Sequence, residues 1–171
     1  MKLILALLLF SSLAHAQLIS SPTQAQAVQG KAFVATTGPM TLALAGNMRA
    51  LFTNPAGSNV TVLINRIATV NTTVATVFAN MYLNPTNGLP IAVGYASNVI
   101  LGGPASKAYF TNDTSVATPL SGGTLIMPFV VPPGRTEFDT SFVVNPGSSV
   151  GFNSAFAGAA IGEIVFYYTE I

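Results

Sequence analysis

The chain has 171 residues, a length that fits one domain, and it is half hydrophobic with only 6% charged residues. Six basic residues face five acidic ones, for a formal net charge of +1; that is too weak a positive field for a phosphate backbone, so no nucleic-acid partner is expected. There is no cysteine to form a disulfide, and a chain so poor in charge lacks the repulsion that keeps monomers apart, so much of its surface is expected to meet other copies, another protein or lipid.

Residues 1–16 read as a secretory signal. Lys2 supplies the positive start, and Leu3 to Phe10 form an apolar run shorter than the ~20 residues a membrane span needs. Ala14-His15-Ala16 is a small-x-small cleavage site, with the cut expected between Ala16 and Gln17. The product is expected to be secreted, extracellular or on the cell surface, with no stable membrane insertion. Cleavage removes Lys2 and the only histidine, His15, and leaves a mature chain of zero formal net charge. Ser-His-Asp and Cys-His nucleophiles are then excluded, as is zinc held by His or Cys. No catalytic residue, cofactor or metal is expected, and the chain is not expected to be an enzyme.

Residues 17–29, QLISSPTQAQAVQ, carry no charge and no apolar pattern of helical length. Such a segment suits either a flexible leader, the reading the residues alone favour, or an extended strand along an exposed sheet edge, its backbone completing the ladder. Leu18, Ile19 and Val28 are its large apolar residues.

Residues 30–171 make up the expected domain. Turn signals recur at TTGP (36–39), AGN (45–47), NPAGSN (54–59), NPTNG (84–88), LGGP (101–104), TND (111–113), SGG (121–123), PPG (132–134) and NPG (145–147). Between them, strands are expected near 31–36, 40–44, 48–53, 59–70, 74–83, 91–100, 106–110, 124–131, 136–144, 148–153 and 160–169. Short β-branched and aromatic runs punctuated in this way point to an all-β sandwich or barrel. In the run 60–70, Val60, Val62 and Ile64 share a face with Ala68 and Val70; Arg66 interrupts it and marks a bulge or strand end. Val77, Ala79, Met81 and Leu83 alternate with Thr76, Phe78, Asn80 and Tyr82. Ile164, Phe166 and Tyr168 form an expected inner face, with Val165 and Tyr167 outward beside Glu163 and Thr169.

The sequence offers little chemistry. Glu137 and Asp139 are two apart in RTEFDTS and point the same way in a strand, a spacing open to glycosidic acid–base work or calcium. A solvated face shared with Arg135 is the reading favoured by the residues. Three sequons, at Asn59, Asn71 and Asn112, are possible glycosylation sites.

GKAFV (30–34), ALFTNPAGSNVTVLINRI (50–67), ANMYLNPTNG (79–88), YASNVILG (95–102) and VNPGSSVGF (144–152) follow in an order that resembles jelly-roll subunits of bacterial extracellular fibres. The family is that of F-type endospore appendages, and phage-particle jelly-roll proteins are similar in phrasing. The resemblance implies a jelly-roll sandwich of two antiparallel sheets with an extended N-terminal arm, here following a cleaved signal helix. It implies a homopolymer in which residues 17–29 of one copy are a connector arm that docks onto the next, with Leu18, Ile19 and Val28 as the candidate docking residues. The chain departs from that family in carrying an export signal. A small outer-membrane β-barrel and a secreted carbohydrate-binding jelly roll are the alternative expectations.

Overall fold

The computed structural model describes residues 26, 29–42, 46–99, 101–115, 118–156 and 159–171. The expected signal, its cleavage pair Ala16 and Gln17, and Leu18, Ile19 and Val28 of the arm lie outside them.

Twelve strands run through the described residues: β1 (Ala32–Thr36), β2 (Met40–Leu42), β3 (Asn47–Asn54), β4 (Val62–Asn71), β5 (Val77–Leu83), β6 (Ala92–Val93), β7 (Tyr95–Asn98), β8 (Tyr109–Ser115), β9 (Thr124–Val131), β10 (Gly134–Val144), β11 (Ser148–Ala155) and β12 (Ala160–Glu170). They form two six-stranded sheets. One has the order β10-β4-β12-β1-β7 with β2 beside β12, and the other the order β6-β8-β3-β11-β5-β9. Every pairing is antiparallel. The all-β expectation is met.

The sheets face one another across an aromatic core. Phe52 on β3 stands 5.9 Å from Phe166 and 4.7 Å from Tyr168 on β12, centroid to centroid. Phe110 on β8 meets Phe166 edge-on at 5.5 Å, and such tilted contacts suit the ring quadrupoles. The inner face expected of β12 holds, since Ile164, Phe166 and Tyr168 are all buried in this cluster. So does the alternation of β5, where Val77, Ala79 and Met81 are buried while Phe78 is 75% exposed.

Strand β4 carries the irregularity that Arg66 signalled, and it changes the face assignment. Arg66 pairs with Tyr167 but Ile64 pairs with Tyr168, so Asn65 is an extra residue on β4. A one-residue insertion reverses the phase of everything beyond it. The inward set is therefore Val62, Ile64 and Ile67, and Ala68 and Val70 turn to the other face, a correction to the expected set. TND (111–113) is also corrected: it is the middle of β8, not a turn.

The two lateral sides of the sandwich differ. On one, β6 pairs with β8 in the second sheet and β7 pairs with β1 in the first. Gly94 alone separates them, so one stretch of chain passes between the sheets and closes that side. The site demands glycine because a Cβ there would overlap the ring of Phe110. On the other side, β9 and β10 are the terminal strands of their sheets, and among the described residues neither has a second partner.

Candidate functional site

Most of the described charged residues fall into three groups; Glu163 stands apart and accepts from Thr36 Oγ1 at 2.8 Å. Arg66 on β4 binds Glu137 at 3.2 Å and Asp139 at 3.0 Å on β10, and Arg135 binds Glu137 at 2.9 Å. The spacing thus does put both carboxylates and Arg135 on one face, as expected. Each carboxylate is matched by a guanidinium, and all four side chains are exposed by two-fifths or more. Arg135 also donates to the Tyr167 hydroxyl at 3.0 Å. Its guanidinium is made still more basic, first by the Glu137 hydrogen bond and then by Tyr167. This lattice lies over Ala68 and Val165, which are buried although they face away from the core.

The second group is buried. Arg49 on β3 meets Asp113 on β8 at 2.6 Å. Its Nη1 donates to Gly88 O at 2.8 Å and to Thr118 O at 3.0 Å. Asp113 in turn accepts from the Ile91 amide at 3.2 Å. The pair therefore anchors two loop segments, one on each side of the 91–115 strands, onto the outer face of the second sheet. Leu120 completes that cover: its amide donates to Asn153 at 3.0 Å, and its side chain fills the space that the missing side chain of Gly151 leaves.

The third group holds the end of the sandwich from which the arm departs. Glu170 accepts from Ser106 Oγ at 2.6 Å and from the Lys107 amide at 2.7 Å. The Tyr168 hydroxyl donates to Ser106 Oγ at 2.7 Å. Burial, reinforced by Glu170, pushes the Tyr168 phenol well up and keeps it protonated as a donor. The Glu170 amide donates to Lys31 O, and the Lys31 amide to Gln26 O at 3.0 Å. Sequence reasoning missed the second and third groups.

Among the described residues, no three His, Cys, Asp or Glu side chains stand close enough to hold a metal ion. The three sequons part company. Asn59 is exposed in the turn before β4, with a φ of 55°. Asn112 is 8% exposed and Asn71 1%. Asn71 Nδ2 is spent on Ala75 O at 3.0 Å and Val131 O at 3.1 Å, so the atom that would carry a glycan is already committed inside the fold. Asn54 is its counterpart at the opposite corner, donating to Val60 O at 2.9 Å and Val144 O at 2.8 Å. Each asparagine fastens one sheet to the terminal strand of the other. Asn71→Ala leaves buried carbonyls without donors, and a loss of about 2–3 kcal/mol is expected. Thermal denaturation measures it, and a melting temperature within a degree of the parent would dismiss the clamp.

Two surfaces remain apolar and uncovered by the described chain. An open groove of about 500 Å³ runs past Thr73, Val74, Val77, Phe78, Ala155 and Ala159 at the β4–β5 and β11–β12 turns. Val74 there is fully exposed, and Val130, paired with Phe78 from β9, is 46% exposed. The other surface is the stretch with Ile91, Val93 and Leu101, each more than four-fifths exposed. No protein-family model, no curated protein and no solved structure matches this chain.

Proposed function

We propose that the chain is a secreted structural subunit that polymerises without covalent links, the N-terminal arm of one copy docking onto the sandwich of the next. The observation that carries this reading is the asymmetry of the two sides. One is sealed by the chain crossing between sheets at Gly94. The other offers the free edges of β9 and β10, flanked by the half-buried Ile126, Met127, Phe129 and Phe142. Free strand edges are templates for another chain. Strand β9 is guarded by Pro128 and by the extra residue Ile126; β10 has eleven residues and no proline, and its irregularity is confined to the stretch between Asp139 and Phe142.

The strand order supports a jelly roll. Set aside β2 and the strands β6 to β8, and the remaining eight interleave as β10-β4-β12-β1 and β3-β11-β5-β9. Chain-adjacent strands then lie mostly in opposite sheets, as nested Greek keys require. The expected barrel alternative loses support from the two separate sheets around a filled core, because a transmembrane barrel needs one closed sheet.

The energetics set a condition on assembly. Burying Leu18 and Ile19 contributes ~1.5–3 kcal/mol each, and each backbone bond about 1 kcal/mol net. Ordering the arm costs ~1–2 kcal/mol per residue, so the arm alone nearly breaks even. The apolar surface around Ile91 and Val93 is suited to supply the surplus as a lateral contact.

The test is direct. Purified residues 17–171 are expected to form filaments that pellet from detergent-free buffer and are visible by negative-stain microscopy. Dispersed single particles at high concentration would overturn the reading.

A further inference from the structure

We infer that the apolar groove beside Val74 and Phe78 is the socket for Leu18 and Ile19 of a second copy. This inference rests on the proposed polymer and adds the place where its arm is held. The groove is lined by Thr73, Val74, Val77, Phe78, Ala155 and Ala159 and contains no charged side chain. The arm likewise has no charge, and Leu18-Ile19 is its one pair of adjacent large apolar residues.

Strand β12 measures why the occupant is a second copy. The arm leaves beside Lys31, which is bonded to Glu170 at the end of β12. The groove lies at the opposite end of that strand, where Ala159 precedes Ala160. The ten steps of β12 cover about 33 Å at the rise of a strand. The eight steps from Leu18 to Gln26 reach at most about 29 Å when fully taut. Gln26 is itself tied back to Lys31, so the arm starts from the Glu170 end of that strand. A subunit's own arm therefore falls short of its own groove. The arm of a neighbour stacked end to end starts close to it. The surfaces involved are two different ends of the molecule, and repetition of such a contact gives an open chain of subunits.

The absence of cysteine makes the test clean. Mature Leu18→Cys protein is mixed in equal amounts with Ala75→Cys or Ala155→Cys protein, allowed to assemble and mildly oxidised. Linked peptides are then identified by mass spectrometry. Both substituted alanines are exposed, and neither exchange disturbs the core. A disulfide joining position 18 to position 75 or 155 between molecules is expected, and a chain carrying both cysteines is expected to run as a ladder of multimers. Filaments without either cross-link would overturn the socket while leaving the polymer intact. A doubly substituted chain that closes its disulfide within one molecule would overturn the second copy as occupant. Failure of the unsubstituted protein to form filaments would remove both the polymer and its socket. Leu18→Asp with Ile19→Asp is expected to lower the sedimenting fraction at least ten-fold with an unchanged melting temperature; undiminished assembly would also overturn the socket.

Discussion

Deletion of residues 17–29 is expected to leave a folded subunit that forms no filaments. The core that would survive is complete without the arm. Phe52, Met81, Phe152, Ile164 and Phe166 are wholly buried in the cluster formed by the strands, and among the described residues the Lys31 amide bonds the arm at Gln26 O. Burial of this core is unchanged by the deletion, and the melting temperature of the truncated domain should match that of unassembled full-length protein. Assembly loses both the edge-completing backbone and the apolar anchor. The arm nearly breaks even in free energy, so its loss acts through register: the lateral contact that remains has no docked strand to align successive subunits, and any residual association is not an ordered filament. Microscopy of the truncated protein and sedimentation in detergent-free buffer measure the outcome. Filaments as long and abundant as those of the full mature chain would take the arm out of the mechanism.

The sequence carried some elements of this fold in full and others hardly at all. Strands β5 and β12 were legible because Val77, Ala79 and Met81, and likewise Ile164, Phe166 and Tyr168, repeat with the period of a strand. Arg66 announced the irregularity in β4. The reversal of phase after it was not foreseen, because the extra residue Asn65 becomes visible only against its neighbour β12. Asn112 and Asp113 read as turn residues since polar residues favour turns. Tertiary pairing overrode that preference, because Arg49 sits opposite Asp113 in the ladder of β3 and β8. The two are 64 residues apart, a separation at which no periodicity links them.

The apolar residues on outer faces show the same limit. Sequence alone suggested that foreign surfaces cover them. Much of the cover is the chain's own: Pro85 and Leu120 lie over Gly151, and the Arg66, Arg135 and Glu137 lattice lies over Ala68 and Val165. What remains for a partner is narrower, namely the groove at Val74 and Phe78, the edges of β9 and β10, and the stretch around Ile91. Asn54 and Asn71 were visible as polar residues closing β-rich runs, in TNP and VNT. A signal existed there, since a polar residue that ends an apolar strand at a sandwich corner can satisfy the backbone of the opposite sheet.

Arg49→Met is expected to destabilise the domain by about 3–5 kcal/mol, the cost of leaving one member of a buried ion pair alone. The side chains of Arg49 and Asp113 are only 9% and 18% exposed, so water screens the orphaned carboxylate poorly. The substitution also strips donors from Gly88 O and Thr118 O. Methionine preserves most of the volume, which separates the loss of charge from the opening of a cavity. For a domain of this size each kcal/mol shifts the melting temperature by roughly 2–4 °C, so a fall of about 6–20 °C is anticipated in thermal denaturation. Hydrogen exchange should localise the damage. Amides around Gly88 and of 118–120 lose protection first, while β4 and β12 keep theirs, because Arg49 holds both places to the sheet, whereas Asn84 keeps its backbone bond to Ser149 and β6 its pairing with β8. Arg49→Met combined with Asp113→Leu should recover most of the loss, as an apolar pair has no charge to desolvate. Release of the 118–120 stretch bares Leu120, so the single variant should also associate non-specifically on warming, in a manner distinct from ordered filaments. A single variant that melts within a degree of the parent, with unchanged exchange in the two segments, would show that the ion pair is not what keeps this outer face covered.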